Sequence, residues 1–591
     1  MSLSGNNQFV LPFKPQVAAV NAWLNELPII DTERSSELVL SALRALNHYH
    51  LPPRLNIEIV ETIRPLVFVL SHSLEAKFTN CQFPLEPAVE KAARLCIWFH
   101  AELARAYAFA SGEEEFVAGK LFNRSDQARI IHRALQSCNI VMLRHYQIYT
   151  CPSAEFWQRS YRLYGMAEKL ALLNLEIGDK ALNAKSTINH LFKHLILFAI
   201  SDTHHCPQRD MLKIYNLAED YADVLDFQKR FDVDGQIAVY YFNSESDQPP
   251  DALRNIHNLE DKNNYYVCTR SVLETIINDA EKFKAAEKSG SQRLPNKSVL
   301  RYFAKRLKGP DKRRYMRLSK QAKRYFIIGF TNLLVALFEA KKNNSSVTLK
   351  QRPVSQEKPS TKPDYSLLPM EDEHGNVGYR EVDSNERSPN LINIIMDESR
   401  MRVTANEIWN KPTDHSHRIT LDDTKQTCQL INASANGYCL AHTQSLSIKI
   451  KVGDLIGVFE DIRQIEIGTI RWLRYSESNY LLFGVELLSP AARVVKIYPL
   501  SKPDEEFVLN HEGNLQIRDW ALFFPSFSAL DKPATLVTVP AKYKVGQWLV
   551  IEENKRFKKY HLKKALDSTS AFSHYLLFQL EYNESHATVR N

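Results

Sequence analysis

Three groups of residues in this chain have types and spacings that could do chemistry. The first is a polar turn, Asn432-Ala433-Ser434-Ala435-Asn436-Gly437, set between Leu430-Ile431 and Tyr438-Cys439-Leu440. An amide and a hydroxyl at a strand end supply donors and acceptors, and the glycine permits a positive φ or a close backbone approach. The second group is cationic. Between 301 and 324, eleven lysines and arginines, Arg313 and Arg317 among them, face the single acid Asp311. Such a run is a solvated helix and loop, a site for an anionic or phosphate ligand, or a nucleic-acid surface. The last is disfavoured, because the run lacks the interleaved aromatics of a single-strand platform and sits in no helix-turn-helix pattern. The third group is His190 and His194, one helical turn apart, with His204-His205-Cys206 following. Paired histidines at that spacing can ligate zinc. Here Leu191-Phe192-Lys193 lies between them without the glutamate of H-E-x-x-H. The expectation is partly buried histidines and no metal.

No motif supports catalysis. The chain has no P-loop, no G-x-S-x-G elbow and no Rossmann glycine cluster. Its carboxylates fall in surface-like contexts such as Glu113-Glu114-Glu115. The reading is therefore a binding protein and not an enzyme, with no catalytic residues.

The elements that must position these groups follow from composition and period. The chain has 591 residues, and at about 150 per domain that is roughly four compact units. Only 18 residues are glycine, which weighs against glycine-rich nucleotide folds. The formal charge of +7 is mild and does not by itself imply nucleic acid. Eight cysteines form no C-x-x-C pair, which points to a reducing compartment. The N-terminus lacks the apolar core of a signal peptide. The uncharged run Tyr325 to Phe338 is shorter than the roughly 18 residues a spanning helix needs. The expected location is cytoplasmic, with no membrane span.

The fold class expected is multidomain α+β: an N-terminal α-helical region of helical hairpins, then a C-terminal antiparallel β-barrel region. Residues 1–230 carry helical periodicity, as in Ile214, Leu217, Ala218, Tyr221, Ala222 and Leu225. Trp157, Tyr161 and Tyr164 form a stripe expected in the core. A helical stack of this kind commonly presents a concave surface to a protein partner. Residues 231–340 form a mixed α/β segment holding the basic run, in which Ile237, Val239 and Tyr241 follow a two-residue period. Residues 341–395 have the polar, charged composition of a flexible linker. A β-barrel is expected over 396–505 and a small C-terminal β unit over 506–591. Alternation at Leu446, Ile448, Ile450 and Val452, at Leu481, Phe483, Val485 and Leu487, and at Leu576, Phe578, Leu580 and Tyr582 carries that reading.

The β-region also carries a family resemblance. The turn matches (D/N)-x-S-x-x-G at Asn432, Ser434 and Gly437, and is followed by Gly468-Thr469-Ile470-Arg471-Trp472-Leu473-Arg474 and by Phe483-Gly484-Val485-Glu486-Leu487-Leu488-Ser489-Pro490. This succession resembles the PilZ domain, the small β-barrel of bacterial cyclic di-GMP receptors, over about 410–500, and the helices ahead of it resemble those of some larger bacterial members. The resemblance implies a non-enzymatic effector controlling surface behaviour such as motility, attachment or exopolysaccharide, with cyclic di-GMP as ligand and no cofactor. It also implies an R-x-x-x-R motif shortly before the barrel, because a guanidinium donates two parallel hydrogen bonds to a phosphate or to guanine O6 and N7. Just before Asn432 no such pair occurs, and His415-Ser416-His417-Arg418 stands there instead. The well-formed pair is Arg313 and Arg317, far upstream. The ligand residues expected are thus Arg313, Arg317, Arg418, Asn432, Ser434 and Gly437. The alternative is a degenerate PilZ-like adaptor that binds a protein without nucleotide.

Overall fold

The computed structural model describes residues 10–49, 51–112, 114–230, 238–288, 297–309, 316–345, 424–442, 449–476, 478, 480–489, 492–500, 519–526, 532–553 and 556–579. They fall into two compact units. One takes residues 1–323, 428–453 and 469–486, and the other takes 324–427, 454–468 and 487–591.

The first unit opens with helices α1 (Val17–Glu26), α2 (Thr32–His48), α3 (Pro53–Phe78), α4 (Pro87–Ser111), the short α5 (Glu114–Val117), α6 (Arg124–Gln147) and α7 (Ala154–Lys169). Their starts are written in the sequence. The Asp31 carboxylate accepts from the Arg34 amide at 3.0 Å, and the Asn123 side chain accepts from the Asp126 amide at 2.9 Å. Pro53 and Pro87 open α3 and α4, where a missing amide costs nothing. Leu43, Val60, Phe99, Leu103, Ile131 and Met142 are fully buried where these helices pack. Inside that packing Arg64 pairs with Asp179, and Arg133 reaches the same carboxylate at 3.1 Å. A short hairpin, β1 (Ile177–Asp179) and β2 (Ala184–Ser186), supplies this acid, and α8 (Ile188–Ile200) and α9 (Gln208–Asp220) follow.

A four-stranded sheet then forms from β3 (Asp226–Gln228), β4 (Ala238–Asn243), β5 (Asp251–Ala252) and β6 (Asn264–Cys268), in the order β3-β6-β4-β5. Its buried phase is Tyr240 and Phe242, while Val239 and Tyr241 are only half-buried. Aromatic packing sets that phase: Phe242 stacks on Tyr265 at 4.8 Å and on Tyr161 at 5.2 Å. The stripe Trp157, Tyr161 and Tyr164 is buried, with Tyr164 stacked 3.9 Å from Phe192.

Helices α10 (Arg270–Lys288) and α11 (Lys297–Leu307) lead into the basic run. In α11, Leu300, Phe303 and Leu307 are buried while Arg301 and Lys305 point away from that face. Arg306 meets Asp202 at 3.3 Å. The first part of the run is thus the polar face of an amphipathic helix.

Strand β7 (Leu318–Ile328) follows, then α12 (Phe330–Ser345). The next strands are β8 (Gln426–Ser434), β9 (Gly437–His442), β10 (Leu455–Phe459), β11 (Glu466–Tyr475) and β12 (Leu481–Ser489). They close a six-stranded barrel in the order β10-β11-β12-β9-β8-β7. Its first strand therefore comes from the 231–340 segment, ahead of the stretch expected to be linker. β7 pairs antiparallel with β10 from Tyr325↔Phe459 to Ile328↔Ile456, which is why its apolar end, Phe326-Ile327-Ile328, is buried.

A second barrel follows from β13 (Arg493–Leu500), β14 (Asp519–Phe524), β15 (Thr535–Thr538), β16 (Trp548–Glu553), β17 (Arg556–Ser568) and β18 (Ser573–Gln579), ordered β13-β14-β15-β18-β17-β16. Its first strand begins at Arg493, inside the range expected for the earlier barrel. Val495 and Ile497 join Ala521, Leu549 and Ile551 in this barrel's core. Within the second unit, Phe330, Leu333 and Leu334 of α12 share one apolar cluster with Leu455, Phe459, Leu522 and Phe524. Most of the expected linker, residues 346–395, lies outside the described residues. Among the described residues, no helix is long and apolar enough to cross a membrane.

Candidate functional site

The polar turn joins β8 to β9. Gln429↔Ala441 and Leu430↔Leu440 are paired in register, and then a bulge shifts the ladder so that Asn432 faces Cys439, Ala433 faces Tyr438 and Ser434 faces Gly437. The bulge decides which way the motif points. Leu430, Leu440 and Phe483 face one another across three strands and are buried, which marks the barrel interior. Simple alternation from Leu430 would send Asn432 and Ser434 inward as well. The extra residue reverses the phase and puts them on the outer face with Gly437, which is how bulges re-aim side chains at sites.

Gly437 is required by space. A Cβ built there would lie 2.1 Å from the Val485 carbonyl oxygen on β12. Of the two roles the sequence allowed, close approach is the one in use. Directly opposite Gly437 is Glu486. Its carboxylate accepts from Asn436 Nδ2 at 3.3 Å and from Arg471 Nε at 2.6 Å. Ser434 Oγ donates to the Gly437 carbonyl at 3.3 Å. Beside this group the Trp472 indole covers Gly484, whose Cβ would fall 1.8 Å from Nε1. Sequence reading placed Glu486 and Arg471 inside matching strands without giving them a role. Their signal was register, since Glu486 reaches the corner only because β12 pairs with β9 at Gly437.

Arg317 is exposed and immediately precedes β7, the barrel neighbour of β8. In an antiparallel ring the start of β7 lies beside the end of β8. Lys425 Nζ, just ahead of β8, stands 4.3 Å from the Tyr325 ring of β7. Arg317 thus precedes the barrel strand that neighbours the one carrying Asn432 and Ser434. Arg313 and Arg418 lie outside the described residues.

From this corner β11 runs to the helices of the same unit. Trp472 lies 6.5 Å from the His205 ring, and the Tyr475 amide donates to the Tyr149 carbonyl at 2.9 Å. Phe83 and Ile450 exchange two backbone hydrogen bonds of 2.8 Å. His204, on the same helical surface, is pushed down to about 4, first by burial, with Arg474 and His205 acting in the same direction and Asp202 opposing. The histidines singled out in sequence serve packing. His190 meets Asp223 at 2.9 Å, and His194 is buried with Nε2 3.1 Å from the Tyr215 carbonyl. Among the described residues, no group of three His, Cys, Asp or Glu side chains could hold a metal.

Comparison with known proteins finds three family matches along the chain. Residues 18–230 match the family described as Cyclic-di-GMP receptor FimW, N-terminal domain. Residues 239–493 match Cyclic-di-GMP receptor FimW, middle PilZ domain, and 519–580 match FimW C-terminal beta-barrel domain. Across 96% of its length the chain is 22% identical to the cyclic-di-GMP receptor FimW of Pseudomonas aeruginosa (strain PAO1), covering 90% of that protein. No solved structure matches.

Proposed function

We propose, from the premise that this chain is a PilZ-domain protein with a long N-terminal helical region, that it is a cytoplasmic, non-enzymatic effector responding to cyclic di-GMP. The ligand carries two phosphates and two guanines. Guanidinium groups suit both the phosphates and the O6/N7 edge. The single observation that carries the reading is strand order: β7 lies beside β8, so the R-x-x-x-R pair Arg313 and Arg317 precedes, in sequence, the neighbour of the strand that carries Asn432 and Ser434. That strand order supports assigning the arginine pair, far upstream in sequence, to the same site as the turn. Arg418, ahead of β8 in sequence, is a further candidate.

Binding alters output only if the ligand favours one arrangement over another. The contact of β11 with Tyr149 and His205 supports coupling from the corner to the helical region, where a protein partner would be held. The output follows the family expectation, namely control of motility, attachment or exopolysaccharide in a bacterium. Calorimetry of the full chain with micromolar cyclic di-GMP tests the reading, with saturable heat expected. Replacing Arg313 and Arg317 by alanine is expected to weaken binding by tenfold or more, each lost bidentate contact being worth about 1–3 kcal/mol. Absence of heat with the wild-type chain would leave the adaptor reading standing instead.

A further inference from the structure

We infer that Glu486 reads the Watson–Crick edge of a guanine, and so sets the preference for a guanine over an adenine dinucleotide. This rests on the receptor reading above and extends it to one residue outside the matched motif. Glu486 is directly across from Gly437, on the outer face that carries Asn432 and Ser434. Its side chain is 44% exposed, so a ligand in the corner can reach it. An ionised carboxylate has about four lone-pair sites on two oxygens. Asn436 engages one oxygen and Arg471 the other, which orients the group and leaves acceptor capacity on both.

The chemistry is selective. Guanine presents two adjacent donors, N1–H and the N2 amino group, and a carboxylate accepts both in parallel. Adenine presents an acceptor at N1 and a donor only at N6, so one carboxylate oxygen would meet a lone pair. A site built to satisfy paired groups penalises the analogue that leaves them unpaired. Arginine on the O6/N7 edge and Glu486 on the N1/N2 edge would hold opposite sides of one base. A carboxylate near a doubly anionic ligand would ordinarily repel it. Arg471, at 2.6 Å, offsets that charge.

The test is calorimetry on the full chain with cyclic di-GMP and cyclic di-AMP, on wild type, Glu486→Gln, Glu486→Asp and Arg471→Gln, each checked for native circular dichroism. The amide of Glu486→Gln keeps size but loses the paired acceptors. Cyclic di-GMP affinity should fall about tenfold to a hundredfold. Cyclic di-AMP affinity should be level or higher, and Glu486→Asp should recover part of the preference. Equal losses for both nucleotides, matched by Arg471→Gln, would make Glu486 a positioning residue only and overturn the inference. So would an unchanged ratio, or a wild type that binds both nucleotides alike. A wild type that binds neither fails the receptor reading itself.

Discussion

At the scale of single residues, Gly437 and the buried histidines give the most direct tests. Gly437→Ala must move β12 or break the turn, because the new methyl would sit 2.1 Å from the Val485 oxygen. Overpacking of this kind costs about 1–3 kcal/mol. A urea melt should show that loss, and cyclic di-GMP binding should fall with it. A melt indistinguishable from wild type would mean the strands have more room than the geometry gives them. His100, His132 and His194 report on pH. Burial, chiefly, holds each near about 3, with Arg144 and Arg64 adding to it at His100, Arg133 at His132 and His190 at His194. In the unfolded chain each titrates near 6.5. Between those values the unfolded state binds more protons, so stability is full above about 6.5 and falls as pH drops. The slope is roughly 1.4 kcal/mol per pH unit for each histidine. Urea midpoints at pH 7.5, 6.5 and 5.5 should decline most over the last step, and a flat series would contradict the assigned burial.

Elements divide into those visible in the sequence and those that required pairing. Helical periodicity and strand alternation are local, so the helices around Trp157 and Ile214 and the strands around Leu430 and Phe483 stand out in one dimension. Strand order is not local. β7 ends at Ile328 and β8 begins at Gln426, and nothing in either run announces the other as neighbour. That is why the turn was legible at Asn432, Ser434 and Gly437 while the upstream strand that neighbours β8 was not. The bulge after Leu430 was equally hidden, since a single extra residue changes the facing of a strand without changing its composition. β11 offers a test at this scale. It joins Arg471 and Trp472 at the corner to Tyr475, whose amide is held by Tyr149. Hydrogen–deuterium exchange with and without cyclic di-GMP should show altered protection in β11 and around Tyr149–Cys151. Changes confined to the β8–β9 turn would mean that the ligand is bound without a signal reaching the helices.

For the whole molecule, the decisive consequence is that the first barrel is not a contiguous stretch of chain. A fragment covering 396–591 contains β8 to β12 and all of the second barrel, but lacks β7 and α12. Removing β7 leaves β8 and β10 with open edges, which small sheets tolerate poorly. Removing α12 uncovers Leu455, Phe459, Leu522 and Phe524, which it covers with Phe330, Leu333 and Leu334. At about 25 cal/mol per Å² of apolar surface, exposing several such side chains costs about as much as the marginal stability of a small domain. The same cut removes Arg313 and Arg317. The fragment should therefore show fast amide exchange in β8 and β10 and no saturable binding of cyclic di-GMP. A longer fragment beginning at Lys297 should recover slow exchange in both strands and, if the arginine pair grips the ligand, binding as well. A 396–591 fragment with protected β8 and β10 amides and full-chain affinity would show that the strand closing this ring is dispensable, and would move the ligand contacts away from the basic run to the residues that remain.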